Sequence, residues 1–361
     1  MPPARMASDA AGRLSDLLAD THRLALVGLA KNTGKTETLA AILAEHAQAG
    51  RPVGVTSIGR DGEAHDVIDA RIDKPRIYLQ AGSLVASTGE LLRASGLTHE
   101  RLAETGVRTP LGEVLIARLS EQGAVEVAGP SAAEDVRAVS EAMSALGAEQ
   151  VLIDGAIDRR AACAPAVADG LVMATGAVLG EDIERVVAAT KDAVDLVRLP
   201  AADGALADAG RTHAEATADE REDHVALDRR LVLTAEPAEI AALLRERPRA
   251  STFRIDGALS ERFLEGLLSA RPQRAGRTLR IVVGDPTKVF LSRRGPDWYR
   301  RQGLSIEVLH TIDLKAITVN PVAPQSHRFD SRRLRELIEG AVADVPVLDV
   351  LDPSYRVAAA T

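Results

Sequence analysis

The sequence predicts an α/β protein: a mostly parallel, doubly wound sheet with a second α/β unit or an extension of that sheet. Three observations predict it. Short apolar runs of strand length alternate with helical patterns along most of the chain, which implies parallel strands joined by helices that cover both faces. The first of these runs, Leu24-Ala25-Leu26-Val27, passes through a glycine-containing turn into a helical pattern. At 361 residues, with 46% of them hydrophobic and 27% charged, the chain is long enough for a large core and two folding units.

Residues 1–20 read as an N-terminal extension, and residues 21–200 as the first unit. After the opening strand and turn, Leu39, Ile42, Leu43 and Ala47 recur at helical spacing, and Gly50 marks the end of that helix. Val53 to Ile58 is a short buried strand, with Gly59-Arg60-Asp61-Gly62-Glu63 as the loop leaving it. Next come a strand over Arg76 to Leu79, a helix near Ser83 to Ala94, a strand over Val125 to Ala128 and a helix over Ala132 to Leu146. The strands Val151 to Asp154 and Gly170 to Thr175 follow, each leading into a turn and a helix. Residues 201–225, rich in Ala, Asp and Glu, read as a solvated linker or exposed helix. Residues 226–361 resume the alternation: strands at Leu231-Val232-Leu233, Thr252 to Ile255 and Leu279 to Val283, and helices around Ala238 to Leu244 and Glu261 to Leu268. Ile153-Asp154-Gly155-Ala156 is echoed by Ile255-Asp256-Gly257-Ala258, but four common residues do not establish a duplication.

Composition narrows the function. A net charge of −8 argues against a general binder of nucleic acid or of an anionic membrane, since either partner selects for a basic face. No stretch reaches the apolar length of a membrane span. The N-terminus lacks the continuous apolar core of a signal peptide, because Asp9, Asp16 and Asp20 interrupt it. Cys163 is the only cysteine, so no intrachain disulfide and no cysteine metal cluster forms, and a cytoplasmic location is expected. The histidines show no metal spacing.

The turn itself carries the chemistry. Gly28-Leu29-Ala30-Lys31-Asn32-Thr33-Gly34-Lys35-Thr36 stands between strand and helix, where a phosphate-binding loop has to be. Glycines let successive N–H groups turn toward phosphate oxygens, a lysine reaches the β- and γ-phosphates, and the hydroxyl after it ligates Mg²⁺. Gly34, Lys35 and Thr36 fill those places, and Gly28, Lys31, Asn32, Thr33 and Glu37 complete the nucleotide-binding set. Five residues separate Gly28 from Gly34, one more than the strict pattern. Lysine is otherwise scarce: two of the six in the chain, Lys31 and Lys35, fall in this loop. The plainer reading of these residues is a glycine-rich strand-to-helix turn.

A phosphate loop also needs a carboxylate at the end of a neighbouring apolar strand to hold the magnesium, and Val151-Leu152-Ile153-Asp154 supplies one; otherwise Asp154 is a turn residue. Asp61, with Glu63 beside it, stands past another strand as a candidate to place a water or the ion, or as a plain loop acid. Asp158, Arg159 and Arg160 follow Asp154 closely and read as surface ion pairs or as a response to γ-phosphate charge. The loop Thr175 to Glu181 borders a base or ribose, or simply caps the next helix. In the second unit Gly284-Asp285-Pro286-Thr287-Lys288 and Val319-Asn320-Pro321-Val322-Ala323-Pro324 are stiff turns suited to a ligand or partner surface, or to ending strands.

The segment Gly28 to Thr36, with Asp61 and Asp154, resembles the long phosphate loop of the dethiobiotin synthetase, cobyrinate amidase and MinD-like class of P-loop NTPases. That resemblance covers about residues 21 to 200 and implies a magnesium-dependent nucleotide site, often completed across a homodimer. The signature lysine of the MinD-like members falls at Ala30 here, and Lys31 stands one residue later. More narrowly, Val27 to Thr36, Thr56 to Glu63, Ile153 to Arg159 and Ile317-Thr318-Val319-Asn320-Pro321 together resemble the reactivase subunit associated with the adenosylcobalamin-dependent lysine 5,6-aminomutase. This implies nucleotide-driven remodelling of a cobalamin enzyme, with the aminomutase and a second reactivase subunit as partners. The expectation is an NTPase using ATP (or GTP) and Mg²⁺ as a switch on a protein partner. Lys35, Asp61 and Asp154 are its catalytic set, and Thr36, Asp154 and Asp61 its metal-side residues. The alternatives are an ATP-dependent ligase or amidotransferase-like synthetase acting on a small metabolite, and a nucleotide-binding module without turnover.

Overall fold

Runs of apolar residues buried on both faces set the strands of the first unit, as a parallel sheet covered by helices requires. The computed structural model describes residues 13–59, 76–155, 162–203, 224–227, 229–234, 236–270, 278–324, 327–342, 344–353 and 355. The chain divides into two compact units, one formed by Met1–Thr190 with Asp313–Thr361 and the other by Lys191–Ile312.

The first unit opens with helix α1 (Leu14–Leu17), strand β1 (Arg23–Gly28), helix α2 (Lys35–Gln48) and β2 (Val53–Ser57). There follow β3 (Ile77–Leu79), β4 (Leu84–Thr88), α3 (Gly89–Ala94), the long hairpin of β5 (His99–Thr109) and β6 (Gly112–Leu119), and β7 (Gly123–Val125). Helix α4 (Ala133–Ala145), β8 (Gln150–Gly155), β9 (Gly170–Gly176) and α5 (Ile183–Val197) come next. In the second unit β10 (His224–Leu227), α6 (Arg229–Thr234), α7 (Pro237–Glu246), β11 (Thr252–Ile255), β12 (Leu259–Ser260) and α8 (Glu261–Ala270) precede β13 (Leu279–Val283), β14 (Val289–Phe290), α9 (Pro296–Arg301) and β15 (Leu304–Val308). The chain then rejoins the first unit as β16 (Leu314–Asn320), α10 (Ser331–Ala341) and β17 (Val347–Leu348).

Nine described strands form the main sheet in the order β17-β16-β9-β1-β8-β2-β4-β6-β5. The pairs from β17 to β4 are parallel, and at the other edge β6 pairs antiparallel with both β4 and β5. The fold is therefore α/β with a mostly parallel sheet. Leu24 and Leu26 of β1 share a core with Leu39, Ile42 and Leu43 of α2, with Val55 of β2 and with Leu152 of β8. Each such side chain contributes about 1.5–3 kcal/mol of burial. The second unit has its own parallel sheet, β10-β11-β13-β15, and its own core around Phe253, Phe263, Ile281 and Tyr299. Among the described residues no helix is long and apolar enough to cross a membrane.

Several expectations change. Leu84–Thr88 is a strand, because all five residues are buried between β2 and β6, and only Gly89–Ala94 is helical. The strand expected over Val125 to Ala128 lies earlier, at Gly123–Val125, paired with β3. The β5–β6 hairpin escaped notice because its edge strand alternates exposed and half-buried polar residues. Leu231-Val232-Leu233 lies in helix α6, with Val232 buried and Leu233 exposed, and the neighbouring strand is β10. The second unit spans 191–312 and not 226–361. Ala316, Ile317, Thr318 and Val319 are buried, and pairing them between β9 and β17 covers what would otherwise be an open edge. Of the expected linker 201–225, residues 204–223 lie outside the described residues, and Ala201 bridges to Val308 of the second unit.

Buried polar side chains fix how helices and loops attach. Ser15 N donates to Glu45 Oε2 at 2.7 Å, and the Tyr355 hydroxyl, which accepts from Leu14 N at 3.2 Å, donates to the other Glu45 oxygen. Burial, with the bond to Glu45, pushes the Tyr355 phenol well above its usual range, so it stays a donor. In the second unit Glu261 caps a loop: its carboxylate accepts from Ser292 N and Oγ, Arg293 N, Arg294 N and Tyr299 Oη. Burial pushes Glu261 up, but these donors outweigh it, led by Ser292, and hold its pKa at about 2 against a usual 4.5. A depressed carboxylate contributes stability that is full above pH 4.5 and is lost as pH falls toward 2. Glu261→Gln is expected to cost about 1–3 kcal/mol in chemical denaturation at neutral pH, since a neutral amide accepts more weakly and one of its groups opposes the amide donors. The gap between the two proteins should narrow as pH falls below 4.5; a constant gap would mean that charge contributes nothing to the clasp.

Candidate functional site

The parallel strands deliver their carboxyl ends to one edge of the main sheet, and loops leaving that edge bring the site residues together. The loop after β1 is pinned at its start, where Leu29 N donates to Ala174 O at 2.9 Å. Thr33 closes it, its hydroxyl donating to Ala30 O at 3.0 Å; a Cβ on Gly28 would stand 2.6 Å from Thr33 Oγ1. Asn32 and Gly34 adopt positive φ angles of 66° and 90°, which turn the chain back into α2. Lys31, Asn32, Thr36 and Glu37 are exposed, and Thr33 is buried. Gly34 caps α2 without any side-chain hydrogen bond, so the helix presents its amino end and dipole at the loop. Thr38, one turn in, bonds Gly34 O at 3.1 Å and Thr318 Oγ1 of β16 at 2.7 Å.

Asp154 sits beside this helix end because β8 pairs with β1 on one side and β2 on the other, setting Asp154 opposite Leu26 and Ser57. Its Oδ1 lies 2.5 Å from Lys35 Nζ. The separation is that of an ion pair, yet the approach is off the hydrogen-bonding direction, and Oδ1 is buried without an aligned donor among the described residues. Both side chains remain about a quarter exposed.

Two neighbours complete the edge. Ser57 Oγ accepts from Gly129 N at 2.9 Å as the segment Glu126 to Pro130 crosses the ends of β2 and β4; a Cβ on Gly129 would fall 2.0 Å from Ser57 O, so only glycine passes there. Ser87 Oγ holds the same segment through Ala128 N and Glu126 O. On the other side Asn320, at the end of β16, donates from Nδ2 to Asn32 O at 3.1 Å and accepts from Val322 N at 3.0 Å. Asn320 was expected on a recognition surface of the second unit beside Lys288. It belongs to the first unit, against the loop, because β16 returns to the main sheet. Lys288 is exposed on the second unit, in a turn that Asp285 stabilises by accepting from Thr287 N at 2.8 Å.

Thr175 turns inward to Thr190 Oγ1 at 2.7 Å, and Gly176 packs against Asn320, so the loop Thr175 to Glu181 does begin at this edge. Asp61, Glu63, Asp158, Arg159 and Arg160 lie outside the described residues. Ser57 and Thr318 fell inside segments that carry the reactivase resemblance but had no role of their own there, and Gly129 had none; the signal at each was a hydroxyl or glycine at a strand end.

Among the described residues no group of three or more His, Cys, Asp and Glu is placed to hold a metal ion. A magnesium held with a nucleotide needs fewer protein ligands, because phosphates and water fill most positions. The exposed Thr36 hydroxyl and the buried, unaligned Asp154 oxygen are the right kinds of ligand for it. A scan against protein-family models, a search of curated proteins and a search of solved structures each return no match.

Gly34→Ala is expected to destabilise the protein by about 1–2 kcal/mol, since an L side chain is strained at that φ and its Cβ would meet Asn320 Cβ at 3.0 Å. Gly50→Ala, at φ 62° with open space around it, should cost less. Denaturant midpoints decide this, and equal losses would remove the Asn320 contact as a constraint on the loop.

Proposed function

We propose that this chain is a P-loop NTPase that uses ATP (or GTP) with Mg²⁺ and changes its affinity for a protein partner with its nucleotide state. The observation that carries the reading is Lys35, at the amino end of α2, in contact with Asp154 on the adjacent parallel strand. A cation for phosphate and a carboxylate for a metal ion, 2.5 Å apart at a helix amino end, neutralise each other. When a magnesium nucleotide binds, Lys35 turns to the β- and γ-phosphates and Asp154 to the cation, so neither charge is left alone. The amide groups of Lys31 to Lys35 line the phosphate side, and Thr36 offers its hydroxyl to the cation. The bound metal supplies charge neutralisation of the transferring phosphoryl group. Asp61 places the attacking water.

The resemblance to reactivase subunits extends the proposal to a partner: a cobalamin-dependent aminomutase, with a second reactivase subunit, in a cytoplasmic setting. Phosphate release stimulated by that protein would support a switch. Release that requires a small metabolite and yields a product would instead make the chain a synthetase.

Lys35→Ala is expected to weaken ATP·Mg²⁺ binding roughly tenfold to a hundredfold in calorimetry, the value of a charge-assisted phosphate contact, with the melting temperature nearly unchanged. Wild-type affinity and turnover in this variant would sink the phosphate-loop assignment. Asp154→Asn separates the metal role from the phosphate role. It should slow magnesium-dependent hydrolysis by about a hundredfold, while metal-free nucleotide binds as well as before or better, because a negative charge facing phosphate is gone. If magnesium dependence stays as in the wild type, Asp154 only closes the turn.

A further inference from the structure

Asn320 stands between the loop after β1 and a short hairpin at the end of β16, and its side chain bonds to both. The hairpin pairs residues 321–323 with 327–329: Val322 and Arg328 face each other, Ala323 N donates to His327 O at 2.9 Å and Phe329 N to Pro321 O at 2.9 Å. Asn320 Nδ2 donates to Asn32 O at 3.1 Å, and Asn320 Oδ1 accepts from Val322 N at 3.0 Å. The two partners settle which way the amide points. A carbonyl can only accept and a backbone N–H can only donate, so a flipped amide would lose both bonds.

Only the side chain of Asn320 can answer the loop. Its main chain is fixed to the sheet, paired with Gly176 of β9 so closely that a Cβ on Gly176 would fall 2.5 Å from Asn320 O. Its Cβ lies against Gly34, where a Cβ would approach to 3.0 Å. Asn32, whose carbonyl it holds, has a left-handed φ of 66°, a conformation that costs an L residue energy and persists when its surroundings hold it. Pro321 has no N–H, so Val322 carries the first amide hydrogen after the strand, and that hydrogen goes to Asn320. The Val322 side chain is 38% exposed, so the connection that leaves the loop ends at the surface.

We propose that Asn320 is a positioning residue that couples the loop after β1 to this hairpin. It holds the Asn32 peptide in place for an anion at the loop, and it passes a change there to Val322 through the same planar amide. A rigid amide fixed at its Cβ cannot reorient toward one partner without shifting its bond to the other. The inference rests on the nucleotide reading and adds to it a route by which occupancy of the loop reaches the surface. By linkage, whatever holds the hairpin must in turn alter nucleotide affinity by the same factor.

The test is hydrogen exchange of the full chain, read by mass spectrometry, with and without saturating ATP·Mg²⁺, binding being measured separately by calorimetry. Pro321 and Pro324 lack amide hydrogens, so between them only Val322 and Ala323 exchange. In the wild type, ATP·Mg²⁺ should slow exchange of that pair roughly threefold to tenfold. Asn320→Ala should bind ATP·Mg²⁺ roughly threefold to tenfold more weakly, exchange faster in the free protein and show no response to nucleotide. Asn320→Asp keeps the acceptor for Val322 but not the donor for Asn32, so it should exchange as slowly as the free wild type, again without response to nucleotide. A merely structural Asn320 would change stability and not that response. The coupling is overturned, and the nucleotide reading left standing, if the pair ignores bound ATP·Mg²⁺ in the wild type or responds fully in Asn320→Ala. Loss of all binding in a folded Asn320→Ala overturns it too, since Asn320 would then touch the nucleotide itself. Absence of binding in the wild type overturns the nucleotide reading, and the coupling with it.

Discussion

The parallel pairing of β1 with β8 is the constraint on which the rest of the first unit depends. In a parallel sheet every strand ends at the same edge, so the residue after the apolar run of β1 and the residue closing the apolar run of β8 are neighbours by geometry alone. That places Asp154 opposite Leu26 and within ion-pair distance of Lys35, one loop later. A slip of one residue in this register would turn Asp154 to the opposite face of the sheet and remove the pair. Register in turn is held by burial: Leu24, Ala25, Leu26, Leu152 and Ile153 are fully buried, and a slip would put Asp154 where one of them belongs.

A crowded edge has its own polar accounting. Loops that cross strand ends bury backbone groups which the sheet no longer serves, and each needs a partner. Short hydroxyl and amide side chains supply them: Ser57 and Ser87 hold the crossing segment at Gly129 and Ala128, and Asn320 holds the carbonyl of Asn32. Close approach is the price, and Gly129 meets it by having no Cβ to collide with Ser57 O. The loop after β1 is thus held by β9 and β16, strands that do not contain it, through Ala174 O and Asn320 Nδ2. On the proposed reading this lowers the cost of binding, because amide groups that are already oriented cost less to present to an anion than groups that must be ordered on binding.

What the sequence revealed follows from which signals are local. The loop, its helix and the strand before it are contiguous, and Gly28, Gly34, Lys35 and Asp154 were readable from an apolar run meeting a turn. Asn320 was visible as the end of a buried run before proline, but its place against Asn32 depends on where β16 inserts in the sheet, which no local pattern encodes. The same holds for the partnership of Thr38 with Thr318, which are 280 positions apart. Secondary structure was misread where context overrode pattern. Leu84–Thr88 looked like the start of a helix until its burial between two strands made it a strand, and Leu231-Val232-Leu233 looked like a strand although the sheet position went to His224–Leu227.

The insertion of a whole unit between β9 and β16 also has an energetic logic. These strands are hydrogen-bonded neighbours, yet the chain leaves after Gly176 and returns at Leu314. Closing so long an excursion as disordered chain would cost entropy that grows with the logarithm of its length. Most of that cost is offset when the excursion builds its own parallel sheet and its own core. The core residues of Lys191–Ile312, from Leu199 to Val308, form a cluster that shares no member with the core of the first unit. A unit with its own core can drift in sequence at its surface without disturbing β16. The constraint on β16 itself comes from the loop after β1: Thr318 and Asn320 must arrive in register with Ala174 and Gly176 for Thr38 and Asn32 to find them. The inserted unit is free to specialise, whereas the strand that follows it is not.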